Sequence, residues 1–186
     1  MSGEDAEEGT AGMSDASVEV LLDDFENKDK WEVAAAGADR THLTTFAEGA
    51  PGKRPGVYPD GVAGADYRAL VLLIRSATDD LEVELDVRPG QSFSIAGRLE
   101  ALSLWVRSPH ASIRVSARLR GASRDERELD LGDIAANGEW RPLTRELADP
   151  MDDADLIALT IRLTQVVKRE GEVMILLDDL TARTTA

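Results

Sequence analysis

The stretch LEVELDV, residues 81–87, is the clearest strand pattern in the chain. Its odd-numbered positions are apolar and its even-numbered positions are acidic, which is the period of a β-strand with one face in a core and one in water. Arg88-Pro89-Gly90-Gln91 follows and predicts a turn. We therefore expect Val83, Leu85 and Val87 to face the core.

Similar short apolar segments recur along the rest of the chain. Ile113–Leu119 and Leu102–Val106 alternate in the same way, while Tyr67–Ile74 and Val173–Leu177 are continuous apolar runs. The pattern predicts about nine to eleven short strands, separated by turn signals, and no long amphipathic helix. We expect an all-β fold, an antiparallel two-sheet β-sandwich or jelly roll, formed as a single domain by residues 16–186.

The region after residue 139 is expected to hold three of these strands. They are Trp140–Leu147, Leu156–Val167 and Val173–Leu177. Earlier in the chain, Ala47–Gly64 carries three prolines and five glycines, which predicts a long loop.

The charge is strongly acidic and unevenly spread. The formal net charge is −15, and more than half of it lies in the first 30 residues. Residues 1–15 have no apolar period and are expected to be a disordered acidic leader without a visible signal peptide. Nucleic acid is an improbable partner for such a surface. No apolar run approaches the ~20 residues that span a bilayer, so we expect no membrane insertion.

The residues of most catalytic sites are missing. The chain has no cysteine, and its two histidines, His42 and His110, lie far apart in the sequence. No G-x-S-x-G stretch occurs, and the paired acids are typical of solvated turns. We therefore expect a protein that is not an enzyme and that has no cofactor.

Trp105 is the strongest candidate for a ligand contact. Leu102, Leu104 and Val106 take one face of its strand, which places Trp105 on the other face. Packing in the core is the ordinary role for Trp31, Trp105 and Trp140 alike. The alternatives for Trp105 are a platform for a sugar ring or a contact with another subunit.

Several stretches, in order, resemble two related groups of β-sandwich proteins. The stretch LLDDFENKDKW, residues 21–31, resembles the start of galactose-binding-like jelly rolls. The wider pattern resembles the flagellar filament outer-layer (sheath) protein family of spirochaetes. It is carried by the stretches Glu48–Lys53, Ser94–Arg98, Leu102–Ser108, Ile113–Gly121, Leu129–Ile134, Gly138–Leu143 and Glu170–Leu180.

This resemblance implies a structural protein of the sheath around periplasmic flagella. Its partners would be the flagellin core filament and other sheath proteins, and its location the periplasm, after export as a precursor. In that setting Lys53 and Arg54 are candidate docking residues, because they place positive charge in an otherwise acidic chain. The alternative function is a non-catalytic carbohydrate-binding module that binds a glycan.

The jelly-roll resemblance also implies a possible structural calcium. In carbohydrate-binding jelly rolls, a glutamate of the first strand and an aspartate of the last strand often hold Ca²⁺ together with main-chain carbonyl groups. Glu26 and Asp178 stand at the matching positions, and oxygen ligands suit this ion. The alternative role for both side chains is that of a capping or turn carboxylate.

Overall fold

A computed structural model describes residues 17–34, 37–51, 68–91 and 93–185. The predicted leader, residues 1–15, lies outside the described residues, as do Lys53 and Arg54. The described residues form ten strands and one 3-10 turn, Ala38–Arg40. The strands are β1 Val18–Asp23, β2 Trp31–Ala34, β3 Thr41–Phe46, β4 Ala69–Ile74, β5 Glu82–Val87, β6 Ser94–Arg107, β7 Ala111–Arg120, β8 Glu126–Ile134, β9 Arg141–Val166 and β10 Val173–Thr185.

The strands join one antiparallel sheet that folds into two layers. The first layer contains β3, β4, β1, β10, β6 and the start of β9. The second layer contains β2, β5, the rest of β9, β7 and β8. Strand β9 runs through both layers and connects them, and the start of β6 pairs with β9 where it enters the second layer. The predicted antiparallel β-sandwich is thereby confirmed.

One hydrophobic core lies between the layers. Val83 and Leu85 of β5 are fully buried, and Val87 packs against the same core, as the alternation predicts. Leu102, Leu104 and Val106 of β6 contribute from the first layer. Burial of apolar side chains from both layers is the main stabilising contribution to such a sandwich.

Two strands are longer than the sequence predicts. The structure joins Trp140–Leu147 and Leu156–Val167 into the single strand β9, and it runs β6 through Gly97. The pairing between β6 and β9 changes register at two places on β6, between Ile95 and Arg98 and between Leu99 and Ala101. Both strands continue past these register shifts. Such bulges bend a strand without ending it, and the sequence shows them as breaks.

Among the described residues, no helix is both long and apolar enough to cross a bilayer.

Candidate functional site

The outer face of the first layer carries the predicted ligand contact. Leu104 and Val106, on either side of Trp105, point into the core together with Leu102, so Ser103 and Trp105 point away from it. Trp105 is half-buried, with its strand flanked by β10 on one side and β9 on the other. Its nearest partners across these strands are Asp178 and Pro142.

A groove of about 400 Å³ opens beside Trp105. Four apolar residues contribute to it, and the remaining lining is polar. Leu21 of β1, which is 54% exposed, and Pro142 are the exposed members of the apolar group. The lining residues are Glu19, Leu21, Ser103, Leu104, Trp105, Pro142, Thr144, Asp179 and Thr181.

Hydroxyl groups occupy the polar part of this groove. The Ser103 and Thr144 hydroxyls lie 2.9 Å apart and form one hydrogen bond across β6 and β9. On the other side, the Thr181 hydroxyl donates a long bond of 3.5 Å to Glu19 Oε2. An aromatic ring beside hydroxyls and carboxylates can stack on an apolar ring face and bond the polar groups at that ring's edge.

A second tryptophan lies on the same outer face. Leu176 points away from the core because its neighbours Ile175 and Leu177 both belong to it. Trp140 packs against a small cluster that Leu176 forms with Val71. Trp140 is half-buried there, so packing in the main core is the wrong assignment for this residue. Alternation could not reveal this, because Trp140 precedes the first residue of β9.

Trp31, in contrast, is a core residue, as its ordinary role predicts. Its side chain is 1% exposed and stacks between Phe25 and Phe93, with ring centroids 5.8 Å and 5.2 Å away. Its indole Nε1 donates a 2.7 Å hydrogen bond to Asp23 Oδ2. Burial raises the pKa of Asp23, against the lowering effect of that bond. This tryptophan is therefore not accessible to a ligand.

Glu26 and Asp178, the predicted calcium ligands, both bind main-chain N–H groups. The two Glu26 carboxylate oxygens accept bonds from the Arg68 amide at 3.0 Å and 3.2 Å. The fully buried Asp178 accepts bonds from the amides of Ala50 at 2.8 Å and Asp179 at 2.9 Å. In the described part of the chain, no group of three or more acidic or histidine side chains could hold a metal. Since Ca²⁺ takes 6–8 oxygen ligands, main-chain oxygens and water would have to complete a site here.

The outer face of the second layer carries a different, strongly charged cluster. Arg118 binds Glu84 through both of its terminal nitrogens, at 3.0 Å and 3.4 Å. Burial and the neighbouring Glu84 raise the pKa of Asp86 to about 6. A hydrogen bond from Asp86, assisted by Arg118, lowers the pKa of Glu84. Asp86 therefore keeps its proton to a higher pH than Glu84 does.

The two histidines are placed in separate elements. His42 lies in β3, and His110 lies in the turn before β7, where its Nδ1 accepts a 3.0 Å bond from the Met174 amide. Burial lowers the pKa of His110. An imidazole that accepts a main-chain bond in this way is neutral and structural.

No protein-family model matches the chain, and no curated protein matches it. Solved structures do match. One is the xylanase of Clostridium thermocellum, a carbohydrate-binding module joined to a glycoside hydrolase and complexed with xylohexaose, with 21% identity and a TM-score of 0.54. The match covers 90% of this chain and 28% of that one.

Two further structures have the same architecture. The enzymatically active domain of tailspike protein 4 from bacteriophage CBA120 has 14% identity and a TM-score of 0.55, over 90% of this chain and 22% of that one. The xylan-binding domain of a Paenibacillus barcinonensis xylanase has 12% identity and a TM-score of 0.52, over 93% of this chain and 97% of that one. At these identities the likeness concerns the fold, which is the jelly-roll β-sandwich of carbohydrate-binding modules.

Proposed function

We propose that this chain is a non-catalytic carbohydrate-binding β-sandwich whose ligand lies in the groove beside Trp105. The observation that carries the proposal is the pairing of a half-buried indole with hydroxyl and carboxylate groups in one open groove of about 400 Å³. The fold adds support, because solved carbohydrate-binding modules share it over nearly their whole length.

The proposed mode of binding follows from the chemistry of a sugar ring. The axial C–H groups of a pyranose form an apolar face that can stack on Trp105, while Leu21 and Pro142 bound the apolar area. The ring hydroxyls would then meet Thr144 and Thr181 at the edge of the groove.

Substitution of Trp105 tests the proposal. Wild-type protein should be retarded in gels that contain soluble neutral polysaccharides, and Trp105→Ala should abolish the retardation. Loss of one aromatic stacking contact at a binding site reduces affinity by roughly tenfold or more. Trp105→Phe keeps a ring and should retain part of the affinity.

Trp140→Ala is the matched control, because it removes a tryptophan of the same face that lies outside the groove. Circular dichroism should show that all three variants are folded. If Trp105→Ala binds as tightly as wild type, the proposal is wrong.

A second candidate, a coat protein of the periplasmic flagellar filament, is favoured by the order of the sheath-like motifs between Leu21 and Leu180. The exposed apolar residues of β1 also suit a contact with another subunit, since Val18 is 59% exposed and Leu21 54%. Under this proposal the protein is periplasmic and contacts the flagellin core.

Co-sedimentation with isolated filament cores tests this second candidate. Replacing both Lys53 and Arg54 with glutamate should weaken sedimentation, and more so at low salt, where charges are poorly screened. Sedimentation of the double variant at the wild-type level in low salt would show that these residues do not dock the protein.

A further inference from the structure

The groove beside Trp105 has a one-sided charge. Among the described residues that line it, Glu19 and Asp179 are acidic and none is basic. Glu19 projects from β1, and its carboxylate lies beside the Thr181 hydroxyl. A ligand stacked on Trp105 would therefore share the groove with the Glu19 and Asp179 side chains.

The arginines of the same face are engaged elsewhere. Arg183 lies across from Glu19 in the β1–β10 pairing, yet its guanidinium binds Glu146 at 3.2 Å. Arg107, two residues beyond Trp105, binds Glu48 at 2.8 Å and the carbonyl oxygen of Gly138 at 2.9 Å. Neither cation is among the described residues that line the groove, whereas Glu19 is.

From this charge distribution we infer that the groove selects sugars that carry protonated amino groups over neutral sugars and rejects uronic acids. The inference rests on the proposed function and names its ligand class. A ligand ammonium group beside Glu19 gains an attractive charge pair, whereas a ligand carboxylate meets a like charge there and the acidic surface around it. The −15 net charge of the chain acts in the same direction on the rate of encounter.

Three β-1,4-linked hexamers of one backbone shape test the inference by titration calorimetry at low salt. They are the hexamers of glucosamine, glucose and glucuronic acid, used at mildly acidic pH so that the amines are protonated. An exposed charge pair changes affinity by roughly two- to fivefold, so the glucosamine hexamer should bind about three- to tenfold more tightly than the glucose hexamer. The glucuronic acid hexamer should bind most weakly, and added salt should shrink all these differences.

Two variants with the same charge change locate the effect. Glu19→Gln should reduce the preference for the glucosamine hexamer over the glucose hexamer about threefold. Glu128→Gln removes a carboxylate from β8, on the other layer, and should leave the preference unchanged.

The outcomes separate this inference from the proposed function. Equal affinity for the glucosamine and glucose hexamers, with both lost in Trp105→Ala, would overturn the charge selection and leave the carbohydrate-binding proposal standing. Equal effects of Glu19→Gln and Glu128→Gln would also overturn it. If none of the three hexamers binds through Trp105, both the charge selection and the carbohydrate-binding proposal are wrong.

Discussion

The turn between β1 and β2 is organised by one buried carboxylate. Asp23 accepts the Trp31 indole N–H at 2.7 Å and the Phe25 amide at 3.0 Å, and Phe25 adopts a left-handed φ of 55°. Satisfying a buried indole donor in this way avoids a desolvation cost of about 1–3 kcal/mol. Trp31 is thereby fixed in the core, which leaves Trp105 and Trp140 as the half-buried indoles of the molecule.

The carboxyl pair on β5 makes a prediction about pH. Asp86 has a pKa of about 6 in the folded protein, above its ordinary value of 3.8. A group whose pKa is raised on folding stabilises the fold while it is protonated, and this stabilisation is lost as the pH rises through about 6. Asp86→Asn should therefore raise stability relative to wild type at pH 8 and have little effect near pH 4.

Urea unfolding of both proteins at the two pH values measures this difference. Glu84→Gln is the contrasting variant, because Glu84 has a lowered pKa and binds Arg118. That variant should lose stability at pH 8. If Asp86→Asn is equally destabilised at both pH values, Asp86 is not an unfavourable charge in the folded protein.

At the scale of elements, the long bent strands β6 and β9 hold the two layers together. Gly97 permits one of these bends, because its φ is +83° and a Cβ there would lie 2.7 Å from the Thr185 carbonyl oxygen. Only glycine combines that backbone conformation with so close an approach. The bend lets β6 pair with β9 and with β10 along most of its length.

Gly97→Ala should destabilise the protein by more than the cost of a left-handed backbone conformation alone. Gly90 is the matched control, since its φ is +85° but nothing lies within 4 Å of a Cβ there. Gly90→Ala should cost about 1–2 kcal/mol, the usual cost of left-handed backbone for a residue with a Cβ. Thermal or urea unfolding should show a larger loss for Gly97→Ala. Equal losses would mean that the strand shifts freely away from Thr185.

These elements also show what the sequence could predict. Alternation identified β5 and the outward direction of Trp105, because side-chain period and burial are both local to a strand. Alternation could not predict that Leu21, Pro142 and Thr181 lie beside Trp105, because strand pairing over long sequence separations leaves no local signal. In place of the separate predicted strands Trp140–Leu147 and Leu156–Val167, the structure has the single strand β9, which contains Pro150, and β6 likewise contains Gly97. The sequence did not reveal Glu19 as a site residue, because its place beside Trp105 also depends on strand pairing over a long sequence separation.

In the molecule as a whole, the carboxylates of Asp178 and Glu26 each form hydrogen bonds with a chain segment that is distant in sequence. Asp178 accepts a hydrogen bond from the Ala50 amide and so joins β10 to the chain that follows β3. Glu26 accepts hydrogen bonds from the Arg68 amide and so joins the β1–β2 turn to the chain that precedes β4. Buried carboxylates that accept main-chain bonds stabilise such connections. The same oxygens are the proposed ligands of a structural calcium.

Chelation tests the calcium proposal. If Glu26 and Asp178 hold Ca²⁺, a chelator should lower the melting temperature of protein purified with calcium, because an ion bound only to the folded state stabilises it. Added calcium should restore the melting temperature, and Asp178→Asn should abolish the response. Identical melting curves with chelator and with calcium would remove the proposal.

The central claim is that a glycan lies against Trp105, and the most direct measurement is the set of indole N–H signals in a ¹⁵N-labelled sample. The chain has three tryptophans, and they differ in environment. Titration with the glucosamine or glucose hexamer should shift the Trp105 signal, while the Trp31 signal, whose N–H is buried against Asp23, should stay in place. A Trp105 signal that does not move at saturating hexamer would contradict the account.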